Sequence, residues 1–456
     1  MDSIASIRDK FTLPRISFVK VLAMLFAGII MSLFFFPVFL TVFPAQNTKN
    51  LLGAVGLVLL FMTLVYKREF SLPRGILVLM LLAALVSIAA LFSTNYNHTP
   101  EEAYASYVRT VVIWLSSAYV ACMMIYWVHG RIDVPLVINY LVGVCIFQCA
   151  MALMIDFIPA VKSFVDSQVI QGQEAMTEMG RLYGIGASLD VAGGRFSAVL
   201  IAIAVLVDLK KDEYSTATLL VYLICFILIS AIGNMIARTT LIGVGIGIAY
   251  LAFRQVQGII QQRNSGGDRK VLSMWVIALG LLIPVAIFFY NTSEQFYDLT
   301  RFGFEGFFNL IENGEWEVAS NNRLETMVVF PEEFRTWIVG DGYFDNQRSD
   351  INYLGDATEE GFYMGTDIGY LRFIFYFGLI GLVFISMVMI YSAFLCADSF
   401  PEFRTIFWLV LLCGFLIWFK VATDLFLFFC LFIDAAIIRD TFQEEEEEET
   451  PELQEE

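Results

Sequence analysis

Charged residues are scarce in this chain of 456 residues, at 16% against roughly 25% in an ordinary soluble protein. Histidine is scarcer still, since only His98 and His129 occur. The sequence also lacks a phosphate-binding loop, a dinucleotide fingerprint, a nucleophile elbow and zinc-ligand spacing. These absences argue against the common nucleotide-dependent enzymes and metalloenzymes. The sequence therefore predicts no metal site and no cofactor.

The positions of the cysteines do not indicate a disulfide framework. All seven cysteines fall inside apolar runs, which is typical of small buried side chains and not of an extracellular disulfide framework. They are Cys122, Cys145, Cys149, Cys225, Cys396, Cys413 and Cys430.

Long hydrophobic runs dominate the sequence. Hydrophobic residues make up 58% of the chain, and the mean hydropathy is +0.71. Runs of this length predict transmembrane helices, because unpaired backbone groups are not tolerated in hydrocarbon. We expect an all-α polytopic membrane protein without a cleavable signal peptide. About twelve spans are predicted, with starts near Ile16, Leu51, Gly75, Tyr107, Leu136, Val191, Thr216, Ile236, Leu272, Ile368, Thr405 and Asp424.

The spans fall into two blocks separated by a polar segment. Residues 16–290 hold about nine spans and residues 367–439 about three, with the large loop, residues 291–366, between them. Residues 1–15 form a short N-terminal segment. Much of the formal net charge of −17 lies in the tail, residues 440–456, which we expect to be solvated and disordered.

Basic residues in the short loops predict the orientation. Lys67, Arg68 and Arg74 separate the second and third runs, and Lys210 and Lys211 follow the sixth. Positive loops stay in the cytoplasm. Both termini are therefore predicted to be cytoplasmic, and the large loop is predicted to lie outside, with short helices packed over the mouth of the bundle.

Five arginines lie on the predicted outer side, where the positive-inside rule would not place them. A guanidinium fork suits bidentate binding of phosphate oxygens, so these residues are candidates for binding a pyrophosphate. The alternative is snorkelling, in which each side chain merely reaches the headgroups. The five are Arg181, Arg195, Arg238, Arg323 and Arg372.

Arg238 is the sharpest of these candidates. It closely follows Gly233 and Asn234, where the sequence predicts a turn too short for a soluble loop between two apolar runs. Burying an unpaired guanidinium there would cost several kcal/mol. We therefore expect Arg238 to have an anionic ligand or a carboxylate partner.

Two acids complete the candidate site. Asp367 opens the tenth predicted span and could be a helix N-cap, a role worth about 1 kcal/mol. It could instead be a general base that takes a proton from a sugar hydroxyl. Asp341 lies between two glycines in the large loop.

Three segments resemble one family, the O-antigen polymerase and ligase superfamily of bacterial envelope enzymes. The first is an arginine- and glycine-rich entry to a span, and the second is a span that starts with Arg-Thr. The third runs through the large loop into the next span. The segments are Gly180-Arg181-Leu182-Tyr183-Gly184-Ile185-Gly186 with Gly193-Gly194, then Arg238-Thr239-Thr240-Leu241-Ile242-Gly243, and last Asn322-Arg323-Leu324-Glu325, Gly340-Asp341-Gly342, Asp367-Ile368-Gly369-Tyr370-Leu371 and Gly378-Leu379-Ile380-Gly381.

The resemblance implies a C-type glycosyltransferase-like helical fold in the bacterial inner membrane. It implies an enzyme that acts on undecaprenyl-pyrophosphate-linked glycans at the periplasmic face, with a polysaccharide chain-length regulator as a candidate partner and no role for nucleic acid. Ligases of the superfamily carry a functional histidine in the large loop, and this loop has none. That difference favours a polymerase of O-antigen or a related surface polysaccharide.

On this hypothesis arginines neutralise the departing pyrophosphate, so no metal is required. The substrate-binding residues would be Arg181, Arg238 and Arg323, with Asp341 and Arg372 in support. Arg238 and Asp367 would be catalytic, with Asp367 orienting or deprotonating the acceptor.

An O-antigen ligase, a non-enzymatic envelope assembly protein and a lipid-linked oligosaccharide flippase remain alternatives. A transporter should carry charged residues at mid-membrane. The sequence instead places its acids and Lys420 near predicted span ends, at Asp156, Asp208, Lys420, Asp424 and Asp434.

Overall fold

The structure is a computed structural model that describes residues 17–66, 73–171, 173–178, 180–260, 266–345 and 361–443. The predicted N-terminal segment 1–15 and the acidic run of the tail, residues 444–456, lie outside the described residues. The expectations for both stay predictions.

The part before the large loop is made of long helices joined by short connections. They are α1 (Phe18–Phe35), α2 (Thr48–Tyr66), α3 (Arg74–Asn97), α4 (Tyr107–His129), α5 (Val134–Phe157), α6 (Pro159–Gln168), α7 (Gln173–Glu178), α8 (Leu189–Lys210), α9 (Thr216–Ile236), α10 (Thr240–Ile260) and α11 (Gly266–Thr292). A small antiparallel sheet of order β2-β1-β3 joins β1 (Phe39–Leu40), β2 (Phe43–Asn47) and β3 (Val169–Ile170).

The described part of the large loop, residues 291–345 and 361–366, contains four short helices, and three longer ones follow it. The loop helices are α12 (Glu294–Gly303), α13 (Glu305–Asn313), α14 (Ala319–Thr326) and α15 (Phe334–Val339). After a 3-10 turn at Tyr363–Gly365 come α16 (Gly369–Ser399), α17 (Arg404–Ile417) and α18 (Phe426–Ile438).

Nine helices in the described ranges are long and apolar enough to cross a membrane. They are α1 to α5, α8, α9, α16 and the Ser273–Thr292 part of α11. The protein is therefore an all-α chain of the multi-pass membrane class. The other three predicted spans correspond to α10, α17 and α18. The last two, with 14 and 13 residues, reach only about 20 Å against a hydrocarbon core of about 30 Å. The count of twelve spans stays a prediction.

The core lies around α8 and α18. Helix α8 packs against α9, α10 and α17, and α18 packs against α4 and α16. Every residue from Phe426 to Ile438 is buried. A helix that is apolar on all sides is stable only when it is surrounded, which explains why the sequence of α18 occupies the centre.

Helix α16 is broken near its start. Phe377 and Gly378 have non-helical backbone angles, and Gly378 has a φ of +68°, in the left-handed region that favours glycine. A Cβ at Gly378 would clash with the backbone oxygen of Ile338. The glycine therefore permits both the kink and the close approach of α15.

The kink is also where the large loop joins the bundle. The backbone N–H of Asp341 donates to the Phe375 oxygen (2.6 Å), and that of Gly342 donates to the Tyr376 oxygen (3.1 Å). The Ser93 hydroxyl on α3 donates to the same Tyr376 oxygen (2.7 Å). The loop, α3 and the first part of α16 are thus fixed to one another. We call the end of the bundle that carries α12 to α15 the loop end.

Candidate functional site

Arg238 lies at the loop end, between α9 and α10. Its Nε and Nη2 donate to the Phe302 backbone oxygen (3.2 and 2.9 Å), and Nη1 donates to Ser320 Oγ (3.1 Å). Nη2 also forms an ion pair with Glu305 Oε2 (2.7 Å). The guanidinium therefore binds three parts of the large loop at once. Glu305 is a carboxylate partner of the kind that the sequence led us to expect.

The turn before Arg238 differs from the prediction at Gly233 and Asn234. Helix α9 continues through both residues to Ile236. Asn234 is buried, and its Nδ2 donates to the Gly303 oxygen (2.6 Å). Because the amide finds a partner in the loop, the helix does not need to end there, and the turn falls at residues 237–239.

Arg181 approaches Arg238 through a shared ring. The Cζ atoms of Arg181 and Arg238 lie 5.5 and 4.4 Å from the centroid of Phe302, distances at which a cation attracts the ring face. Burial lowers the pKa of Arg238; the charge of Glu305 opposes this effect and that of Arg181 adds to it.

Arg181 and Arg238 each line a cavity. One has a volume of about 390 Å³ and is lined by Arg181, Lys162 and Asp156 among others. The second has a volume of about 250 Å³, and its lining includes Arg238 and Lys420. Both cavities are lined by charged side chains together with apolar ones, as in sites that bind amphipathic ligands.

Lys420 joins three elements beneath the second cavity. Its Nζ donates to Asp190 Oδ1 (2.7 Å) and to Thr239 Oγ1 (3.1 Å). The Thr239 hydroxyl donates to the same carboxylate oxygen. Lys420 follows α17, Asp190 lies in the first turn of α8, and Thr239 directly follows Arg238. This contact brings cationic and anionic groups together at the start of two core helices.

Asp367 lies next to this group. Burial raises the pKa of its carboxyl to about 6; the charge of Arg372 opposes the shift, that of Asp190 adds to it, and Lys420 opposes it. Arg372 Nη1 lies 3.3 Å from Asp367 Oδ1. Helix α16 has Ile368 as its N-cap residue and no side-chain capping bond, so Asp367 does not cap it. Asp367 is a half-buried acid, and burial keeps its carboxyl protonated to a higher pH than that of an exposed aspartate.

Arg372 connects Asp367 to the large loop. Its Nη2 donates to the Phe344 oxygen (3.2 Å) and to Asp345 Oδ1 (2.8 Å), and its Cζ lies 3.8 Å from the Phe344 ring centroid. Only 8% of the side chain is exposed. Because the loop holds Arg372 in place, the arginine can orient the Asp367 carboxylate through their ion pair.

Asp341 is placed differently from the other candidates. Its Oδ1 accepts from the Thr336 hydroxyl (2.7 Å) and from Arg335 Nη2 (3.3 Å), and its Oδ2 accepts from the Tyr363 hydroxyl (3.3 Å). Burial raises the pKa of Asp341 and these contacts oppose the shift. The carboxylate stabilises the fold of the loop, and its predicted role at the substrate stays a prediction.

Arg323 is exposed on α14. It lies three residues after Ser320, whose hydroxyl contacts Arg238, so both side chains project from the same side of this short helix. Its predicted role in substrate binding also stays a prediction.

Comparison with known proteins gives no relative: no family model, no curated protein and no solved structure matches this chain. The function of this chain is therefore inferred from the arrangement of side chains at the loop end.

The site contains three residues that sequence reasoning did not assign to it, namely Lys420, Asp190 and Glu305. Lys420 had a usable signal, because a lone lysine beside an apolar run is costly in a membrane and is often functional. Asp190 and Glu305 had none, since each is recognised only by a partner that is distant in the sequence. We call the set that lies together at the loop end the loop-end cluster: Arg181, Asp190, Arg238, Asp367, Arg372 and Lys420.

Proposed function

We propose that this protein is a membrane glycosyltransferase that polymerises oligosaccharide repeat units of O-antigen or a related surface polysaccharide. The donor would be an undecaprenyl-pyrophosphate-linked glycan. The observation that supports this proposal best is the position of Asp367. A carboxyl with a pKa of about 6 lies close to Lys420, a cation that lines the 250 Å³ cavity. A base and a cationic surface are the two features that glycosyl transfer from a pyrophosphate needs.

These groups would take part in a single nucleophilic displacement at the anomeric carbon. The acceptor hydroxyl loses its proton to Asp367, and its oxygen attacks the anomeric carbon of the donor sugar. The bond from that carbon to the pyrophosphate oxygen breaks, and undecaprenyl pyrophosphate leaves with the electron pair. A base whose pKa lies near the working pH is the most effective. Arg181, Arg238 and Lys420 would stabilise the negative charge that develops on the leaving group.

The proposed location is the periplasmic face of the bacterial inner membrane. The basic short loops support this orientation, because they would lie at the opposite, cytoplasmic end. A reporter that is active only in the periplasm should work when it is fused after Asn313 and fail when it is fused after Glu213. Activity only after Glu213 would reverse the orientation.

A transporter of lipid-linked oligosaccharides is the second candidate, and buried charges favour it. Arg195 lies within α8, and Asp434 lies within the fully buried helix α18. Charged side chains inside a bundle are typical of transport pathways. The sequence places Asp434 near a span end, and four residues of α18 follow it.

The two candidates differ in the glycan that deletion leaves. Deleting the gene should remove long polysaccharide and retain a single repeat unit on the cell surface. Asp367→Asn should give the same pattern at normal protein abundance, and Asp398→Asn, an exposed acid at the far end of α16, should restore full polymer. Loss of all surface glycan would instead support the transporter or a ligase. Purified protein in liposomes should lengthen lipid-linked repeat units, and failure to do so would overturn the polymerase.

A further inference from the structure

A second group of charged side chains lies inside the bundle near the loop-end cluster. It consists of Lys49 in the first turn of α2, Arg195 in the second turn of α8 and Asp424 between α17 and α18. Arg195 follows Asp190 by five residues, and Asp424 follows Lys420 by four. We call these three residues the interior cluster. All three are half-buried, and their charges lie close enough to influence one another.

The two cations of the interior cluster contact aromatic rings. Lys49 Nζ lies 4.2 Å from the Trp114 ring centroid, and Arg195 Cζ lies 5.6 Å from that of Phe36. Neither the ammonium nor the guanidinium forms a hydrogen bond or an ion pair with another residue in the described ranges. Arg238 and Lys420 differ in this respect, since each has a carboxylate within 2.7 Å.

The acid of the cluster does not neutralise these cations by contact. Asp424 Oδ1 accepts a hydrogen bond from the Phe426 backbone N–H (3.0 Å). No ion pair joins Asp424 to Lys49 or Arg195. Two positive charges against one negative charge leave the interior cluster with a net positive charge in a region of low dielectric, where an unpaired charge is expensive.

Two neutral donors on α4 face the same region. Trp114 Nε1 and Tyr107 Oη are buried and have no hydrogen-bonding partner among the residues that the structure describes. Trp114 is the ring that Lys49 contacts, and Tyr107 lies within reach of the charge of Asp424. The two residues are seven positions apart and therefore share one helix face. Buried polar groups are nearly always paired, so two unpaired donors on one helix face are unusual.

We propose that the interior cluster is a binding site for a phosphate or pyrophosphate group, held by Lys49 and Arg195, with the Trp114 N–H as a further donor. An anion of this class suits these donors, because phosphate oxygens accept from ammonium, guanidinium and indole groups. A cation would meet only one carboxylate and two positive charges.

The proposal refines the proposed function in one respect. If the ligand is the pyrophosphate of a lipid-linked substrate, the interior cluster is a second site for that group, in addition to the cations of the loop-end cluster, and this identity rests on the proposed function. The existence of the anion site does not rest on it. The hydroxyl and carboxyl chemistry would remain at Asp367, one layer nearer the loop end.

Direct binding to the purified full chain in detergent tests the site. Inorganic pyrophosphate and farnesyl pyrophosphate are titrated by calorimetry. Both should bind, and Lys49→Met and Arg195→Met should each weaken binding about tenfold or more. Arg131→Gln is the matched control, because Arg131 is an exposed cation that pairs with Asp133 outside both clusters. Its binding should equal that of the unmodified protein.

Asp424→Asn keeps the test decisive if a methionine variant does not fold. Removing the competing negative charge should tighten binding of pyrophosphate several-fold, a gain that misfolding cannot produce. Tighter binding of farnesyl pyrophosphate than of inorganic pyrophosphate identifies a lipid-linked group, and equal affinity identifies a free anion. Absence of binding, or affinities unchanged by Asp424→Asn and by both methionine substitutions, overturns the site.

The binding data test the anion site, and the glycan data test the proposed function, so either one can be wrong without the other. If pyrophosphate does not bind at the interior cluster while Asp367→Asn still abolishes polymer, the inference is wrong and the proposed function stands. If binding follows the pattern above while Asp367→Asn leaves long polymer, the anion site stands and the proposed glycosyltransferase is wrong.

Discussion

Arg181 and Arg238 contact the same phenyl ring, and each of them lines a different cavity. Their Cζ atoms lie 5.5 and 4.4 Å from the centroid of Phe302, a residue of the loop helix α12. The ring attracts both of these like charges. Because α12 supplies the ring, any displacement of the large loop changes both cationic surfaces together. The loop and the arginines therefore act as one unit.

Arg238→Lys should impair the protein almost as severely as Arg238→Ala. The guanidinium contacts Phe302, Ser320 and Glu305 at once, and an ammonium keeps the charge but not the fork. The measurement is the ladder of surface polysaccharide lengths, with membrane abundance checked by immunoblot. We expect long polymer to fall about tenfold or more in both variants.

Two further variants allow the effect of the Arg238 substitutions to be interpreted. Arg301→Lys is the control, because Arg301 forms a comparable pair with Glu312 on an exposed part of the loop and should keep full polymer. Glu305→Gln separates anchoring from ligand binding: it should retain polymer if Arg238 binds the substrate, and should match Arg238→Ala if the arginine only anchors the loop. Full ladders from both Arg238 variants would favour the transporter.

The rate of polymerisation should rise with pH through about 6. Burial raises the pKa of Asp367 to about 6, and only the ionised carboxylate can act as a base. Stability should show the opposite sign. Between about pH 4 and 6 the folded state binds more protons than the unfolded state, so the free energy of unfolding falls as pH rises through this window.

Asp367→Asn should remove both effects, and Asp398→Asn should keep them. The measurements are initial rates with purified lipid-linked repeat units and thermal unfolding in detergent, each across pH 4.5 to 8 in steps of about half a unit. A rate step near pH 6 that persists in Asp367→Asn would assign the titration to another group.

The Lys420–Asp190 contact should stabilise the fold measurably. Lys420→Met and Asp190→Asn should each lower the free energy of unfolding by about 1–3 kcal/mol, because each leaves a mostly buried charge without its partner. A double-mutant cycle should show clear coupling between the two residues. Arg131 and Asp133, an exposed pair, should show almost none. Equal coupling in both pairs would contradict a specific role for Lys420.

Gly378→Ala should lower the amount of folded protein sharply. The left-handed backbone at Gly378 costs an alanine about 1–2 kcal/mol, and the new Cβ would also clash with the Ile338 oxygen. Gly143→Ala is the control, because a Cβ there meets no atom within 4 Å. Membrane abundance and the thermal midpoint are the readouts. Equal midpoints for the two variants would mean that the kink does not depend on glycine.

Hydropathy predicted the long helices well where one apolar run is one helix. The runs starting at Tyr107 and Thr216 begin at the first residues of α4 and α9. The prediction failed to locate the turn near Asn234, because the partner of that amide is the Gly303 oxygen in a distant loop helix. Local composition determines where a helix can form, and a long-range contact decides where this one ends.

The site was predictable only in part for the same reason. Arg238 and Asp367 attracted notice because charges at the ends of apolar runs need partners. Their partners could not be deduced: Glu305 is one acid among many in the loop, and Asp190 meets Lys420 only after the chain has folded. The interior cluster likewise brings Lys49 to Arg195 from a remote part of the sequence.

The break at Gly378 divides α16 into a short first part and a longer second part. The part of α16 from Leu379 to Ser399, roughly 20 residues, is by itself long enough to cross the hydrocarbon. Arg372 and Asp367, on the other side of the break, can then lie at the level of the headgroups, where a charged group is less costly than at the centre of the hydrocarbon. A substrate anchored by an isoprenoid chain carries its polar head at this same depth. Sugar and base would then meet at the membrane surface and not within the hydrocarbon.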